Sequence, residues 1–223
     1  GGTLLSELAT LGDAKATLVI GSSLKHAGEV LQERTGVPTY TLKHLYGLRA
    51  TDALMTTLME ISGRPVPQRL ERQRAQLQDA LVDCHFMLGQ LRVAIAQDAD
   101  LLAAFVDLLQ ETGAEVVTAV TSCNTPSLAD IPVASIKIGD LEDMEKLAIE
   151  SKAQLIIGNS HAVHTAERLH LPILRAGFPL YDIIGGYARL WIGYAGTRQV
   201  LFDLANLVIN YAHEEVPVYH SVL

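Results

Sequence analysis

Ser160 sits in Gly158-Asn159-Ser160-His161-Ala162, a strand-to-helix turn with the outline of a G-x-S-x-G nucleophile elbow. Asp182 or Asp203, and then His213 or His220, follow it in hydrolase order. A serine attacks a carbonyl only if a base takes its proton and a small residue allows the sharp turn. Ala162 stands where the second glycine is needed, and no HGGG-type oxyanion loop is present. His161 and His164, three residues apart at a helix start, could offer two imidazole nitrogens to a metal, but no third ligand lies nearby in sequence. Of the two cysteines, Cys84 falls on an apolar helical stripe and Cys123 in the loop TSCNTPS. They make neither a disulfide framework nor a cluster site, since clusters need several thiolates.

The elements that position these residues are short Val/Ile-rich runs alternating with amphipathic helices. Strands are predicted at Thr17–Ile20, Thr39–Leu42, Arg92–Ala96, Glu115–Val120, Ser135–Ile138, Leu155–Ile157 and Ile173–Arg175. Such continuous apolar runs suit a parallel sheet covered on both faces. Asp98 can cap a helix carrying Leu101, Leu102, Phe105, Leu108 and Leu109, with Gly113 at its end. Asp140 with Asp143 imitates a capping box. Thr197 is expected to open a last helix, and Pro67 to lie in the first turn of a long linking helix bearing Leu70, Leu77, Leu81, Cys84 and Leu88. The fold class is α/β, with Rossmann-like doubly wound parallel sheets.

An internal repeat divides the chain. ATLVIGSSLKHAGEVLQERTGVPTYTL from Ala16 parallels AQLIIGNSHAVHTAERLHLPILRAG from Ala153, pairing Gly21 with Gly158, Ser23 with Ser160 and Pro38 with Pro172. In each copy the serine reads as a helix cap at a βα turn, and that weighs against the nucleophile reading of Ser160. Two similar Rossmann-like domains are expected, residues 1–65 being the end of one and residues 66–223 the linking helix with a complete second. The opening Gly1-Gly2-Thr3, without an initiator Met, leads to the expectation that an N-terminal part is absent. Neither domain has the Gly-rich phosphate loop of a nucleotide enzyme: QDADLL follows Arg92–Ala96.

Composition narrows the function further. The net charge of −8 argues against non-specific nucleic-acid binding, and no apolar run reaches the roughly 18–20 residues of a membrane span. A cytoplasmic protein is expected. Arg64, Arg69, Arg72 and Arg74 gather at the start of the linking helix, as a solvated face or as a contact to an acidic partner. From Arg175 onward, six glycines and prolines mix with Phe178, Tyr181, Tyr187, Trp191 and Tyr194. Such a segment suits tight packing or a subunit contact, and Trp191 or Tyr187 is expected in or beside an interface through which the chain self-associates.

The run from Arg175 through GFPLYD to GYAGTRQVLFDLANLV resembles the β-type subunits of the nitrogenase component 1 family. LIIGNSHA, ERQRAQLQDALVDCHFML, RVAIA with DADLL, GDLEDMEKLA, LLSELATL and LVIGSSL extend the resemblance over essentially the whole chain, toward the members that build the iron–molybdenum cofactor. What the resemblance implies is a scaffold subunit with three Rossmann-like domains, of which this chain holds the end of the second and all of the third. It implies a NifE-like α-type partner in an α2β2 complex, maturation with the nitrogenase iron protein, and iron–sulfur clusters in the full complex. The β-subunit of nitrogenase itself is the alternative within the family. The family's cluster cysteine on this subunit lies in an N-terminal domain, and neither Cys84 nor Cys123 occupies its motif. No metal, cofactor or catalytic residue is therefore assigned to this sequence, and no cofactor is expected in this part.

Overall fold

The computed structural model describes residues 3–214, with side chains through Tyr211. The chain opens on a 3-10 turn, Leu5–Asp13, with no buried residue, where the sequence reads as an apolar helix. Two parallel strands follow, β1 (Thr17–Ile20) and β2 (Thr39–Leu42), joined through α1 (Lys25–Thr35) and paired from Thr17↔Thr39 to Ile20↔Leu42. Two long helices, α2 (Gly47–Ser62) and α3 (Gln68–Leu88), lead to the second sheet.

That sheet contains β3 (Arg92–Ala96), β4 (Glu115–Thr121), β5 (Lys137–Ile138), β6 (Leu155–Gly158) and β7 (Ile173–Arg175) in the order β5-β4-β3-β6-β7, every pair parallel. The connections are α4 (Ala99–Thr112), α5 (Leu141–Glu150) and α6 (Val163–Leu169), and the chain closes on α7 (Gly193–Glu214). The order reverses between β3 and β6, which is the doubly wound arrangement and its switch point. Alternate residues of the strands feed two cores. Val93, Ile95, Leu155 and Ile157 pack with Leu77, Phe105, Leu109 and Leu204 on the side of α3, α4 and α7. Ala94, Val120 and Ile156 meet Met144, Ala148 and Ala166 of α5 and α6 on the other. Both faces are covered, as the apolar strands require.

Helix ends follow the chemistry of their caps. The Asp98 carboxylate accepts from the Leu101 N–H at 3.0 Å, and Gly113 ends α4 at φ 78°. Asp140 accepts from Glu142 and Asp143, whose own carboxylate receives the Asp140 N–H.

Three expectations need correction. Pro67 stands at the N-cap, its ψ of 139° still extended, so α3 begins at Gln68. Helix α7 starts four residues before Thr197, which is wholly buried and accepts the Gly47 N–H at 3.1 Å. The strand expected at Ser135–Ile138 shortens to Lys137–Ile138. On the inward face of helix α2 the buried Thr51 hydroxyl donates to the Gly47 carbonyl at 2.7 Å.

Candidate functional site

The carboxyl edge of the five-stranded sheet is where an open α/β fold places a ligand. A cleft of about 420 Å³ lies there, lined by Gln97 and Asp98 after β3, Thr121 of β4, Asn159 and His161 after β6, and Phe178 after β7. The hydroxyl of Thr121 is buried and has no hydrogen-bond partner among the described residues.

Ser160, beside this cleft, is 2% exposed. Its hydroxyl donates to the Asp182 carboxylate and accepts the Tyr181 N–H at 2.9 Å. Arg175 donates to the other oxygen of Asp182. The hydrogen bonds from Ser160 and then Arg175 hold Asp182 below the usual carboxylate range. This order of contacts differs from an activated nucleophile, whose hydroxyl must face an imidazole. Asp203, the other acid named from sequence, instead takes Arg189 and Gln199. The His213 side chain and His220 lie outside the described residues.

Nor is Ser160 the cap of its turn. That role belongs to Asn159, whose side-chain oxygen accepts the His161 N–H at 3.1 Å. Ser160 anchors a strap instead, the segment from Ala176 to Ile192. At its base Gln97 donates to the Ala176 carbonyl at 2.8 Å, Asn159 to Phe178 at 2.9 Å, and the Ser160 N–H to Pro179 at 3.0 Å. Gly177 permits this approach, because at φ 83° a Cβ would sit 2.2 Å from the Gln97 oxygen. The strap thus ties the turns after β3 and β6 to the end of β7.

The two histidines of α6's approach go separate ways. His161 stacks edge-on against Tyr181, and His164 faces Glu167 at 3.2 Å. Among the described residues no group of three His, Cys, Asp or Glu comes together. The two thiols do not fit a cluster. Cys84 is buried in the α3 core, where burial and then the Asp83 charge push its thiol up and disfavour the thiolate. Cys123 is exposed on the loop after β4, away from that core.

The aromatic segment divides. Trp191 turns inward, stacked on Tyr46 at 6.4 Å and edge-on to Phe105 at 6.1 Å, and packs half-buried against the core. Tyr187 is 91% exposed, together with Phe178, Tyr181 and Ile184.

Sequence reasoning missed the acids of α4. Asp100 accepts from the N–H and hydroxyl of Ser23 after β1. Asp107 meets His44 after β2 at 2.8 Å. Glu111 takes the N–H groups of Leu48 and Arg49 at 2.7 and 3.0 Å, capping α2 from outside. One helix face thus grips the turn after β1, the loop after β2 and the first turn of α2. The spacing 100, 107, 111 marks a single face, but in sequence it looks like any solvated stripe. A second tie is Asp52, which burial pushes up but hydrogen bonds from Arg74 and Tyr194 bring down below its ordinary value.

The model of the family described as nitrogenase component 1 type oxidoreductase matches residues 1–209. The chain is 42% identical over 214 residues to the "Nitrogenase iron-molybdenum cofactor biosynthesis protein NifN" of Bradyrhizobium diazoefficiens, covering 96% of this chain and 46% of that protein. It is 43% identical over 223 residues to the NifN of Klebsiella pneumoniae, covering 100% and 48%. The chain therefore spans about half the length of the curated relatives it matches. A solved structure described as "Nitrogenase Cp1 at pH 6.5" superposes with a TM-score of 0.89 at 27% identity, over all of this chain and 52% of that one. Another, "Nitrogenase Cp1 at pH 5", shares the fold at a TM-score of 0.67 and 14% identity, over 93% of this chain and 49% of that one.

Proposed function

The chain belongs to the nitrogenase component 1 type oxidoreductase family, and we propose that it is the C-terminal part of a NifN-like scaffold subunit for assembly of the iron–molybdenum cofactor. One observation carries this reading: identity near 40% runs through almost the entire chain toward proteins bearing that name. Residues 1–65 would close a middle Rossmann-like domain, and residues 66–223 would form the linking helix and the last one. The working unit is an α2β2 complex with a NifE-like α-type subunit in the cytoplasm, served by the nitrogenase iron protein. Its iron–sulfur clusters are held outside this part, and this part performs no catalysis of its own.

Its contribution is positional. A scaffold needs surfaces fixed relative to one another, and a sheet edge strapped to its own loops, with one helix stapled to a neighbouring unit, provides that rigidity. The reading of Ser160 as a hydrolase nucleophile is disfavoured by its hydroxyl's engagement with Asp182. Nitrogenase's own β-subunit is the other family reading, and the names of the similar proteins favour the assembly branch.

The test is co-expression of the full-length parent with a NifE-like subunit, followed by cofactor maturation in a defined system with the iron protein. A stable complex that supports maturation is expected. A covalent serine probe on Ser160, or a parent that replaces nitrogenase's β-subunit in substrate reduction, would overturn the reading.

A further inference from the structure

Thr121 lines the cleft at the carboxyl edge of the five-stranded sheet and is 2% exposed. Among the described residues its hydroxyl is the one buried side-chain group without a hydrogen-bond partner. The neighbouring amides are committed elsewhere. Gln97 donates to the Ala176 carbonyl, and Asn159 takes the His161 N–H and donates to the Phe178 carbonyl. A valine would fill the same space with nothing left unpaired, so a threonine here costs stability unless something outside the chain pairs with it.

The rest of the lining narrows what that partner is. No lysine or arginine is among the described residues of the cleft. The amino ends of α4 and α5, where a phosphate could otherwise sit, are closed by acids. Asp98 accepts from the Leu101 N–H at 3.0 Å, and Asp140 from Glu142 at 2.9 Å and Asp143 at 3.1 Å. An anion is therefore repelled. In both carboxylates these bonds go to Oδ1, which leaves Oδ2 to accept from a ligand. The Thr121 hydroxyl both gives and accepts, so a group that does the same satisfies it, whereas an ammonium can only donate. Phe178, 91% exposed, offers a flat ring to a second one. The cleft of about 420 Å³ falls within the usual size of a small-molecule site.

We propose that this cleft binds a nucleoside without a phosphate. Its base lies on Phe178, its ribose hydroxyls donate to Asp98 and Asp140, and a hydroxyl or ring amide pairs with Thr121. Open α/β sheets take ligands at this switch point and use an acid for the ribose hydroxyls. Here the acids stand where a phosphate loop would be, and they select the uncharged form.

Calorimetric titration of the chain with adenosine, cytidine and uridine tests the site. At least one is expected to saturate a single site per chain. Its 5′-monophosphate should bind roughly tenfold more weakly, since it brings an anion to two carboxylates. Its 2′-deoxy form should weaken by a similar factor, roughly tenfold, for want of a hydroxyl. Thr121→Val should also weaken binding roughly tenfold, and Thr121→Ser should keep most of it. Asp98→Asn should weaken binding with helix content unchanged, because asparagine caps a helix as well as aspartate. The free Thr121→Val chain should melt no lower than the wild type, because the hydroxyl has no bond to lose. Failure of all three nucleosides to bind would overturn the proposal. So would tighter binding of the monophosphate, or of putrescine, than of the nucleoside. A Thr121→Val chain that binds normally would mean that the hydroxyl meets only water. One that melts lower would mean that it has a partner within the chain. Either result overturns the site.

Discussion

The two Gly-x-Ser turns began as near copies in sequence and ended as different structures. Ser23 and Ser160 each give their hydroxyl to a carboxylate. For Ser160 the acid is Asp182, 22 residues along and inside the same sheet unit. For Ser23 it is Asp100, 77 residues along and on a helix of the other unit. The first turn is largely exposed and belongs to a two-stranded sheet, whereas the second stands at the carboxyl edge of a five-stranded one with its serine buried. A repeat thus preserved the donor and changed where the acceptor comes from. One serine secures a loop within its own unit, and the other fastens two units together.

The largest expected effect lies at the glycines. A Cβ on Gly158 would meet the Ala162 Cβ at 2.5 Å inside the core, whereas one on Gly21 would meet the movable Asp100 carboxylate at 2.6 Å. Gly158→Ala should cost about 3 kcal/mol by urea denaturation, and Gly21→Ala about 1–2 kcal/mol from its backbone strain. Equal costs would mean the two turns are equally constrained.

Asp182→Ala should follow, at about 2 kcal/mol, because it leaves Arg175 and the buried Ser160 hydroxyl without an acceptor. The folded state lowers the pKa of Asp182. Its contribution is therefore present above the ordinary carboxylate range and is lost as pH falls through the depressed folded value. Wild-type stability should drop over that acidic window more steeply than that of Asp182→Asn. Parallel curves would show that the strap does not depend on this charge.

Ser160→Ala should cost about 1.5 kcal/mol, since it strands the Tyr181 N–H as well as Asp182, while Ser23→Ala should cost about 0.5 kcal/mol at its exposed site. The smallest global effect belongs to Asp100→Ala, about 0.5 kcal/mol. Its signature is local: amide exchange should quicken at Ser23 and leave β3 and β6 unchanged. Exchange that spreads into the five-stranded sheet would erase the distinction between the units.

Strands β3 and β6 were legible because both of their faces are apolar, and the α4 and α5 caps because Asp98 and Asp140 act within three residues of themselves. What stayed hidden depends on partners far along the chain. Helix α2 has no side-chain cap from its own neighbourhood and takes one from Glu111, 63 residues along, so its sequence carries no local start signal. Asn159 and Ser160 were easy to confuse, since either could cap a turn, and only Asp182 and Tyr181 decide between them. The packing of Trp191 was hidden for the same reason, because nothing in its neighbourhood reveals that Tyr46 and Phe105 come to meet it.

Trp191 is the chain's single tryptophan. One of its faces stacks on Tyr46, from the loop between β2 and α2, and the Arg189 guanidinium lies 5.3 Å from its centre. Phe105 of the five-stranded unit closes the edge. The indole therefore works as an optical gauge set at the seam between the two sheets. Excitation passed from Tyr46 and the colour of the emission both depend on that loop remaining in place. If the first sheet swings away while the second stays folded, the fluorescence should shift red before the helical signal at 222 nm changes.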